Sequence, residues 1–372
     1  MANRHEKRLE RIRAGLEEAG IDTLLVTTGE NRRYLSGFSG EDGGVNESAG
    51  ALFITRDKLL LSTDSRYTLQ AHDEAGLYEI HQVTKGLAQE MPVLLKQLNT
   101  RRLGFEAQRL PHGDYCKIAE RLKDEGPAVE MIAVDEWLGD LRVRKENTEI
   151  DIMRRALALS EDIFAEFLDR DFKTGITEKQ AAWLLEKRMR EAGAEGMAFP
   201  VIAAFGENSA RPHAVCGERR LADGQPVLFD WGARLEGYCA DISRSFMKGQ
   251  ADDTYRKVHW TVYEAQQMAI AAVKPGATAS EVDAVARQHI ERAGFKDKFG
   301  HGLGHGVGLA VHEPPRVSPP SKAILEEGMV FTVEPAIYLP GWGGVRIENM
   351  VVVRADGAEV LNRSDGKIPE HV

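Results

Sequence analysis

Three histidines fall within one glycine-rich stretch, HGLGHGVGLAVHE, at residues 301–313. They are His301, His305 and His312, and an imidazole can bind a metal ion or carry a proton near neutral pH. Glycines surround His305, where the missing side chains would let the backbone approach a ligand closely. The stretch lacks the GK[ST] and GxGxxG signatures of phosphate loops, and its HEPP is not the zinc motif HExxH. It therefore predicts a ligand site of another kind.

Four acidic residues stand inside or at the edge of apolar, strand-like runs: Asp230, Asp241, Glu334 and Glu348. A buried, ionised carboxylate is costly unless it is paired with a cation or bound to a metal. Ion pairing is the ordinary explanation for any one acid alone. The candidate partners are Arg234, Arg244 and Arg346. Four such acids at one site would repel one another, which favours neutralisation by divalent cations.

Together the four carboxylates and His305 form an oxygen-rich set of donors. Such a set suits hard to borderline divalent ions, namely Mn²⁺, Co²⁺, Fe²⁺ or Zn²⁺. Five protein ligands with bridging carboxylates suffice for two ions about 3.5 Å apart. Because such a pair lowers the pKa of a bridging water and clamps a carbonyl group, the predicted chemistry is hydrolysis of an amide or a similar bond.

The elements that must position these residues form an internal repeat. One predicted helix begins with the capping box Thr177–Gln180, and another begins with Thr278–Glu281. Each is followed by a segment with histidine and by two strand-like runs that carry the acids. The acids are 11 residues apart in the first half and 14 in the second, which suits neighbouring antiparallel strands joined by a short connection. The C-terminal part is therefore predicted to be α+β, with two similar halves around a pseudo-twofold axis.

The N-terminal part shows helical and strand-like segments in alternation, which predicts a smaller α/β domain with a mixed or parallel sheet. Two of its apolar runs, 51–55 and 59–63, predict a hairpin. A polar, charged stretch then precedes a long helical pattern at 147–169. We therefore predict two domains, 1–141 and 142–372.

Size and composition limit the classes of function. The chain has 372 residues and a net charge of −10, so we expect no binding to nucleic acid. Its three cysteines, Cys116, Cys216 and Cys239, are too few for a disulfide framework. The sequence shows neither a signal peptide nor an apolar run long enough to span a membrane. We expect a cytoplasmic protein without a membrane partner.

Residues from about 148 to 372 resemble the pita-bread metallopeptidases, which include methionine aminopeptidase, proline dipeptidase and Xaa-Pro aminopeptidase. The resemblance rests on four segments: FDWGARLEGYCADISRSF, HGLGHGVGLAVHEPP, FTVEPAIY and GVRIENM. It implies a pita-bread catalytic domain with an internal pseudo-twofold repeat. The N-terminal domain resembles the creatinase-like α/β domain shared by proline dipeptidases and Xaa-Pro aminopeptidases.

The resemblance implies two divalent metal ions and their ligands. Asp230 would chelate one ion, and Asp241 and Glu348 would bridge the pair. His305 and Glu334 would complete the shell of the other ion. We expect manganese, with cobalt, zinc and iron as alternatives. Since all five ligand types are present, creatinase chemistry and an inactive peptide-binding relative are both disfavoured.

The resemblance also implies roles in catalysis and substrate binding. Glu334 would accept a proton from the attacking water, and His312 would donate to the scissile carbonyl or the oxyanion. His213 would line the cleft and help to hold the substrate, and His301 would line the pocket for proline. Arg346 would brace the site beside the last metal ligand.

The choice of substrate depends on the N-terminal domain. Residues 34–71 look like the Xaa-Pro aminopeptidase version, and Asp64, Arg66 and Tyr67 match it. This implies removal of the first residue from peptides with proline in second position. It also implies a homodimer, because this segment would lie near a neighbouring subunit's active site. Proline dipeptidase is the alternative, and it would need a cation, usually an arginine, for the carboxylate of its terminal proline.

Overall fold

The computed structural model describes residues 2–44 and 47–364. The chain forms two compact units, Met1–Leu141 and Arg142–Val372. Each unit buries an apolar core of its own. Within the described ranges, the longest helices are too polar to serve as membrane spans.

The N-terminal unit contains one six-stranded sheet and the helices that accompany it. The strands are β1 (Thr23–Val26), β2 (Ala51–Thr55), β3 (Leu59–Thr63), β4 (Glu79–Gln82), β5 (Arg102–Phe105) and β6 (Glu130–Ala133). The helices are α1 (Ala2–Ala19), α2 (Gly29–Ser36), α3 (Thr68–Glu74), α4 (Leu87–Gln97), α5 (His112–Glu125) and α6 (Asp135–Val143), the last of which runs past the end of the unit.

The order of the strands is β4-β3-β2-β1-β5-β6, and the sheet is mixed as predicted. Strand β2 pairs antiparallel with β1 and with β3, so the predicted hairpin is present. The other neighbours are parallel. The apolar residues Leu25, Phe53 and Leu103 of the sheet pack with Leu94 and Ile118 of the helices in one buried cluster. Fully burying each such side chain stabilises the unit by roughly 1.5–3 kcal/mol.

The C-terminal unit holds two halves of similar element order. The first half contains α7 (Asn147–Arg170), α8 (Glu178–Glu191), β7 (Gly196–Met197), β8 (Ile202–Phe205), β9 (Gln225–Trp231), β10 (Ala233–Leu235), β11 (Tyr238–Cys239) and β12 (Ile242–Lys248). The second half contains α9 (Asp253–Ala272), α10 (Ala279–Ile290), β13 (Gly304–Gly306), β14 (Glu313–Val317), β15 (Val330–Val333), β16 (Ala336–Leu339), β17 (Gly343–Arg346), β18 (Asn349–Arg354) and β19 (Gly357–Val360).

Each half is centred on an antiparallel pair of apolar strands. The first sheet has the order β12-β9-β8, and the second has the order β14-β13-β15-β18-β19. The pairs β9–β12 and β15–β18 carry the four acids at or next to their ends. The connections within these pairs are longer than the predicted short links. They fold into β10 and β11 in the first half and into the hairpin β16–β17 in the second.

Local hydrogen bonds repeat between the halves. Gly175 and Gly276, at the starts of the two helices, have φ of +92° and +85°. Each donates its backbone N–H over 2.9 Å, Gly175 to Leu221 and Gly276 to Leu325. Both predicted capping boxes are present with reciprocal bonds. The positive φ favours glycine, since a Cβ is strained in this region, and so the repeat is visible in the sequence.

Candidate metal centre and active site

One cavity of about 1050 Å³ opens in the C-terminal unit. All nine residues predicted for the site line it: His213, Asp230, Asp241, His301, His305, His312, Glu334, Arg346 and Glu348. Ligand pockets commonly measure about 300–1,000 Å³. The cavity is therefore large enough for a short peptide beside the clustered side chains.

The two antiparallel strand pairs bring the four acids together. Asp230 lies in β9 opposite Ser243 of β12, and Asp241 directly precedes β12. Glu334 directly follows β15, and Glu348 directly precedes β18. The backbone N–H of Glu348 donates to the carbonyl of Ser243 over 3.1 Å, which joins the two halves at this point. Each acid is thus held by backbone that the apolar strands fix.

The glycines around His305 have a packing role that was not predicted. A Cβ on Gly304 would lie 1.9 Å from the carbonyl oxygen of Thr332, and a Cβ on Gly306 would lie 2.1 Å from that of Pro314. The glycines therefore permit close packing against neighbouring backbone, and this packing positions His305. The approach of a ligand to this backbone stays a prediction, and Gly304 is among the residues that line the cavity.

Three of the five predicted metal ligands lie close to one another. Asp241, His305 and Glu348 each place one ligand atom within 4.8 Å of the others. The Nε2 atom of His305 lies 3.6 Å from Asp241 Oδ2 and 3.4 Å from Glu334 Oε1. Burial, with a smaller effect of His312, lowers the pKa of His305 to about 4, so its ring is neutral at physiological pH.

The tautomer of His305 follows from its second nitrogen. Nδ1 lies 3.2 Å from the carbonyl oxygen of Gly306, which can only accept. Nδ1 therefore carries the proton and donates, and the lone pair of Nε2 faces the carboxylates. This is how a metal-binding histidine is usually oriented.

The electrostatics of the cluster fit divalent cations. Burial and the charge of Glu348 raise the pKa of Asp241, and burial and Glu334 raise that of Glu348. Burial also raises the pKa of Glu334, to about 8. Asp241 and Glu334 face the neutral ring of His305, and within the described ranges no hydrogen bond reaches the buried Oδ1 atom of Asp230. The cluster thus has a buried oxygen without a partner and carboxylates that repel one another. Both features are expected of metal ligands, because a cation would satisfy the oxygen and offset the repulsion.

Ion pairing accounts for one acid of the four. Arg346 Nη2 donates to Asp230 Oδ2 over 2.5 Å. Its Nε donates over 2.7 Å to Ser243 Oγ, which in turn donates over 2.8 Å to Glu348 Oε2. Arg346 thus braces Asp230 directly and reaches Glu348 through Ser243. Another of the candidate partners, Arg244, donates to Asn349 instead.

His301 is oriented by Tyr338, a residue that was not predicted for the site. Its Nε2 lies 3.1 Å from the hydroxyl of Tyr338, and Arg346 Nη1 donates to the same hydroxyl over 2.7 Å. Its Nδ1 lies 2.8 Å from the carbonyl oxygen of Gly302. Burial, followed by Arg346, lowers the pKa of His301 to about 4, so Nδ1 donates and Nε2 accepts from Tyr338. A buried tyrosine hydroxyl usually has a hydrogen-bond partner. The tyrosine at the end of FTVEPAIY could therefore have been predicted to contact another polar residue of the site.

The other two histidines are exposed on the cavity wall. The ring of His312 lies 4.2 Å from that of His305, between centroids and at 71°. Burial, then the charge of His213, lowers the pKa of His312. The backbone before His213 is fixed, because Arg346 Nη1 donates to the carbonyl of Pro212 over 3.1 Å. Both rings line the cavity and can offer an N–H to a group bound in it.

Two further residues of the cavity wall were not predicted. Arg316 is exposed on β14, and Trp183 of α8 is 63% exposed. A proline dipeptidase would need such an arginine, but spacing in the sequence does not distinguish Arg316 from other surface arginines.

Comparisons with known proteins cover both units. The model of metallopeptidase family M24 matches residues 151–355, and the creatinase/prolidase N-terminal domain matches residues 8–144. The chain is 38% identical to "uncharacterized peptidase YqhT" of Bacillus subtilis over 96% of this chain and 98% of that protein. These matches confirm the predicted two-domain pita-bread architecture.

Solved structures with two different activities in their names resemble the chain. An Xaa-Pro dipeptidase from Bacillus anthracis is 36% identical, with a TM-score of 0.89 over 97% of this chain and 98% of that one. An X-Pro aminopeptidase from Thermotoga maritima is also 36% identical, with a TM-score of 0.86 over 98% and 100% of the two chains.

Proposed function

Because the chain belongs to metallopeptidase family M24, we propose that it is a metal-dependent Xaa-Pro aminopeptidase. It would remove the first residue from peptides that have proline in second position. The convergence of four carboxylates with His305 on one cavity wall is the observation that supports this most. Amide hydrolysis needs a proton acceptor and donors for the developing oxyanion, and candidates for both line the same cavity.

We assign five residues to two divalent ions. Asp230 would hold one ion, and His305 and Glu334 would hold the other, with Asp241 and Glu348 shared between them. Manganese is the metal that we favour, and cobalt, zinc and iron are alternatives with similar preferences for oxygen and nitrogen donors. When bound, the ions would supply a nucleophilic water at neutral pH and polarise the scissile carbonyl.

The chain's own residues would move the protons and hold the substrate. Glu334 would take the proton of the attacking water, since its carboxylate lines the cavity 3.4 Å from Nε2 of His305. His312 would donate an N–H to the carbonyl oxygen, and His213 would help to hold the substrate beside it. His301, held neutral and oriented by Tyr338, would form part of the wall of the proline pocket.

Proline dipeptidase is the second candidate, and Arg316 favours it. The side chain is exposed on the cavity wall, and no ion pair engages it within the described part of the chain. A guanidinium in that place could bind the carboxylate of a C-terminal proline. The size of the cavity favours the aminopeptidase, since it leaves room for residues after proline.

Two matched peptides decide between the activities. Chelated enzyme is resupplied with Mn²⁺, Co²⁺ or Zn²⁺ and incubated with Xaa-Pro and with Xaa-Pro-Yaa-Zaa. Release of the first residue from the longer peptide is the expected result. Cleavage of the dipeptide alone, abolished in Arg316→Ala, would instead assign the protein as a proline dipeptidase. If neither peptide is cleaved with any metal, the peptidase proposal fails and an inactive peptide-binding relative becomes the better assignment.

Three further properties belong to the same proposal. We propose that residues 1–141 and 142–372 act as the N-terminal and catalytic domains, in agreement with the division of contacts between the two units. We also propose a homodimer in the cytoplasm, with peptides as the partners and no nucleic acid or membrane. The net charge of −10 supports the exclusion of nucleic acid.

A further inference from the structure

Glu313, in the HEPP segment, has no part in the roles assigned so far, although it directly follows His312. We propose that Glu313 is a positioning residue that holds His312 in place, and that Lys145 and Arg142 fix Glu313 for this task. The inference rests on the proposed function, in which His312 donates to the substrate's carbonyl oxygen.

Two cations hold the carboxylate of Glu313 in the interior. Its side chain is 6% exposed, and its Oε1 lies 2.8 Å from Nζ of Lys145, which is 1% exposed. Its Oε2 accepts a hydrogen bond from Nη2 of Arg142. Burial alone would raise the pKa of Glu313, but Lys145 and Arg142 together hold it below its usual value. The carboxylate is therefore ionised at neutral pH, and loss of either side of this pairing would leave a buried charge uncompensated.

The backbone that carries Lys145 is held in place. The N–H of Lys145 donates to the carbonyl of Gly328 over 2.8 Å, and Arg144 bridges to Met329 next to β15. This segment is thus attached to the sheet that carries Glu334. Lys145 therefore holds the carboxylate from a fixed position.

The carboxylate also packs against the glycine-rich stretch. A Cβ on Gly308 would lie 2.4 Å from Oε1 of Glu313, so the carboxylate occupies the place of that missing side chain. The carbonyl of Gly308 accepts from the N–H of Cys239 over 2.8 Å, which ties the same backbone to the segment before Asp241. Glu313 therefore packs against the loop at Gly308 and directly follows its last residue, His312.

The position of His312 follows from these contacts. Glu313 is the first residue of β14 and lies opposite Gly306 of β13. The pairing therefore fixes where the strand begins, and His312 lies directly before that point. The ring of His312 then lies 4.2 Å from that of His305. Because a misplacement of about 1 Å can lower a rate by about a hundredfold, the clamp on Glu313 would affect the chemistry more than substrate binding.

The test compares Glu313→Gln with Glu326→Gln in the metal-loaded, full-length enzyme. A glutamine keeps the shape of Glu313, but it is neutral and has an NH₂ group in place of one oxygen, so the cation on that side loses its acceptor. Glu326 is the matched control, since it pairs at 2.9 Å with Arg144 of the same segment but is 51% exposed. We expect Glu313→Gln to lower kcat by about tenfold or more with KM within about threefold. Glu326→Gln should change neither.

A second variant separates positioning from stability. Glu313→Gln leaves Lys145 buried without its charge partner, and adding Lys145→Met removes that penalty. We expect the double variant to regain stability in urea while kcat stays low. Recovery of kcat in proportion to stability would show that Glu313 is only structural, and wild-type kcat in Glu313→Gln would overturn the proposal as well.

A readout without substrate keeps this inference separate from the proposed function. Hydrogen exchange of the amides at 307–312 should be faster in Glu313→Gln than in the wild type, and unchanged in Glu326→Gln. If the wild type cleaves no Xaa-Pro peptide, the proposed function fails, and equal exchange in both variants would then overturn the positioning role on its own.

Discussion

Glu334 connects the electrostatics of the site to the stability of the protein. Its pKa is raised to about 8 by burial, against an ordinary value of 4.5. Below about pH 4.5 the Glu334 carboxyl is protonated in both the folded and the unfolded state, so its contribution to stability is fully present. As the pH rises toward the upper value, the unfolded state releases a proton that the folded state keeps, and this contribution is lost. Asp241 and Glu348 act in the same direction.

We therefore expect the free energy of unfolding of chelated protein to fall between about pH 6.5 and pH 8.5. Below about pH 6.5 the histidines oppose this fall, because the pKa values of His301 and His305 are lowered to about 4 and make stability rise with pH up to their ordinary value of 6.5. Urea titrations with and without Mn²⁺ measure the effect, and bound metal should remove the fall because its ligands are deprotonated. Glu334→Gln should flatten the curve of the chelated protein. A stability that is constant or rises with pH would contradict the electrostatic description of the cluster.

Replacing one acid should change stability and metal affinity in opposite directions. Asp241 is 4% exposed and faces three other carboxylates, so Asp241→Asn removes repulsion and should raise the melting temperature of chelated protein. The same change removes a ligand, and we expect the affinity for Mn²⁺ to fall by at least about a hundredfold, with loss of peptidase activity. Calorimetric titration and thermal melts measure the two effects. The exposed Asp356→Asn is the control, and a destabilised chelated Asp241→Asn would argue for a purely structural acid.

At the scale of the elements, a glycine-to-alanine substitution tests whether the close packing of strand β13 requires glycine. A Cβ on Gly304 would meet the carbonyl oxygen of Thr332 at 1.9 Å, whereas a Cβ on Gly300 would meet nothing within 4 Å. We expect Gly304→Ala to destabilise the protein by about 2–4 kcal/mol and to weaken metal binding, because His305 must move with its strand. Gly300→Ala should stay within about 0.5 kcal/mol of the wild type. Urea unfolding decides this, and similar behaviour of the two variants would show that the strand can shift at little cost.

Another element-scale prediction concerns the loop that carries His213. Glu178, 1% exposed at the start of α8, accepts from the backbone N–H groups of Phe205 and Gly217 and from Asn208 Nδ2. Because Glu178→Ala leaves these buried donors unsatisfied, we expect a loss of about 2–4 kcal/mol of stability. Glu191→Ala, at the exposed end of the same helix, is the control. Equal stabilities in urea would mean that the loop finds other acceptors.

At the scale of the whole molecule, the sequence predicted what local chemistry determines. The capping boxes and the positive-φ glycines of the repeat are encoded within a few residues, so both halves and their acid-bearing strands were found. The hydrogen bond between His301 and Tyr338, and the clamp of Lys145 on Glu313, were not found. Each joins segments that are far apart in the chain, and only the register of strands and the packing of the unit set those distances. The same reason hid Arg316, whose place on the cavity wall depends on how β14 pairs with β13.

The homodimer remains a prediction, and Arg66 allows it to be tested together with a shared active site. Arg66 is 54% exposed, and its Nη2 lies 2.8 Å from Asp64 Oδ2. An exposed ion pair of this kind adds little stability to its own chain. We therefore expect the guanidinium of Arg66 to act at the active site of a neighbouring subunit. Light scattering should give twice the chain mass of 41.2 kDa, and Arg66→Ala should lower kcat/KM by about tenfold at unchanged stability.

Mixed dimers then show where Arg66 acts. A mixed dimer contains one Arg66→Ala chain and one Asp241→Asn chain. The Arg66→Ala chain keeps all its acids, and the Asp241→Asn chain keeps Arg66. If Arg66 serves the neighbouring subunit, half of the randomly mixed dimers have one complete site, and about a quarter of wild-type activity should return. If Arg66 serves its own chain, every chain in the mixture lacks one of the two residues and activity should not recover. A monomer in light scattering would contradict the shared site directly, and the loss in Arg66→Ala would then belong to a single chain.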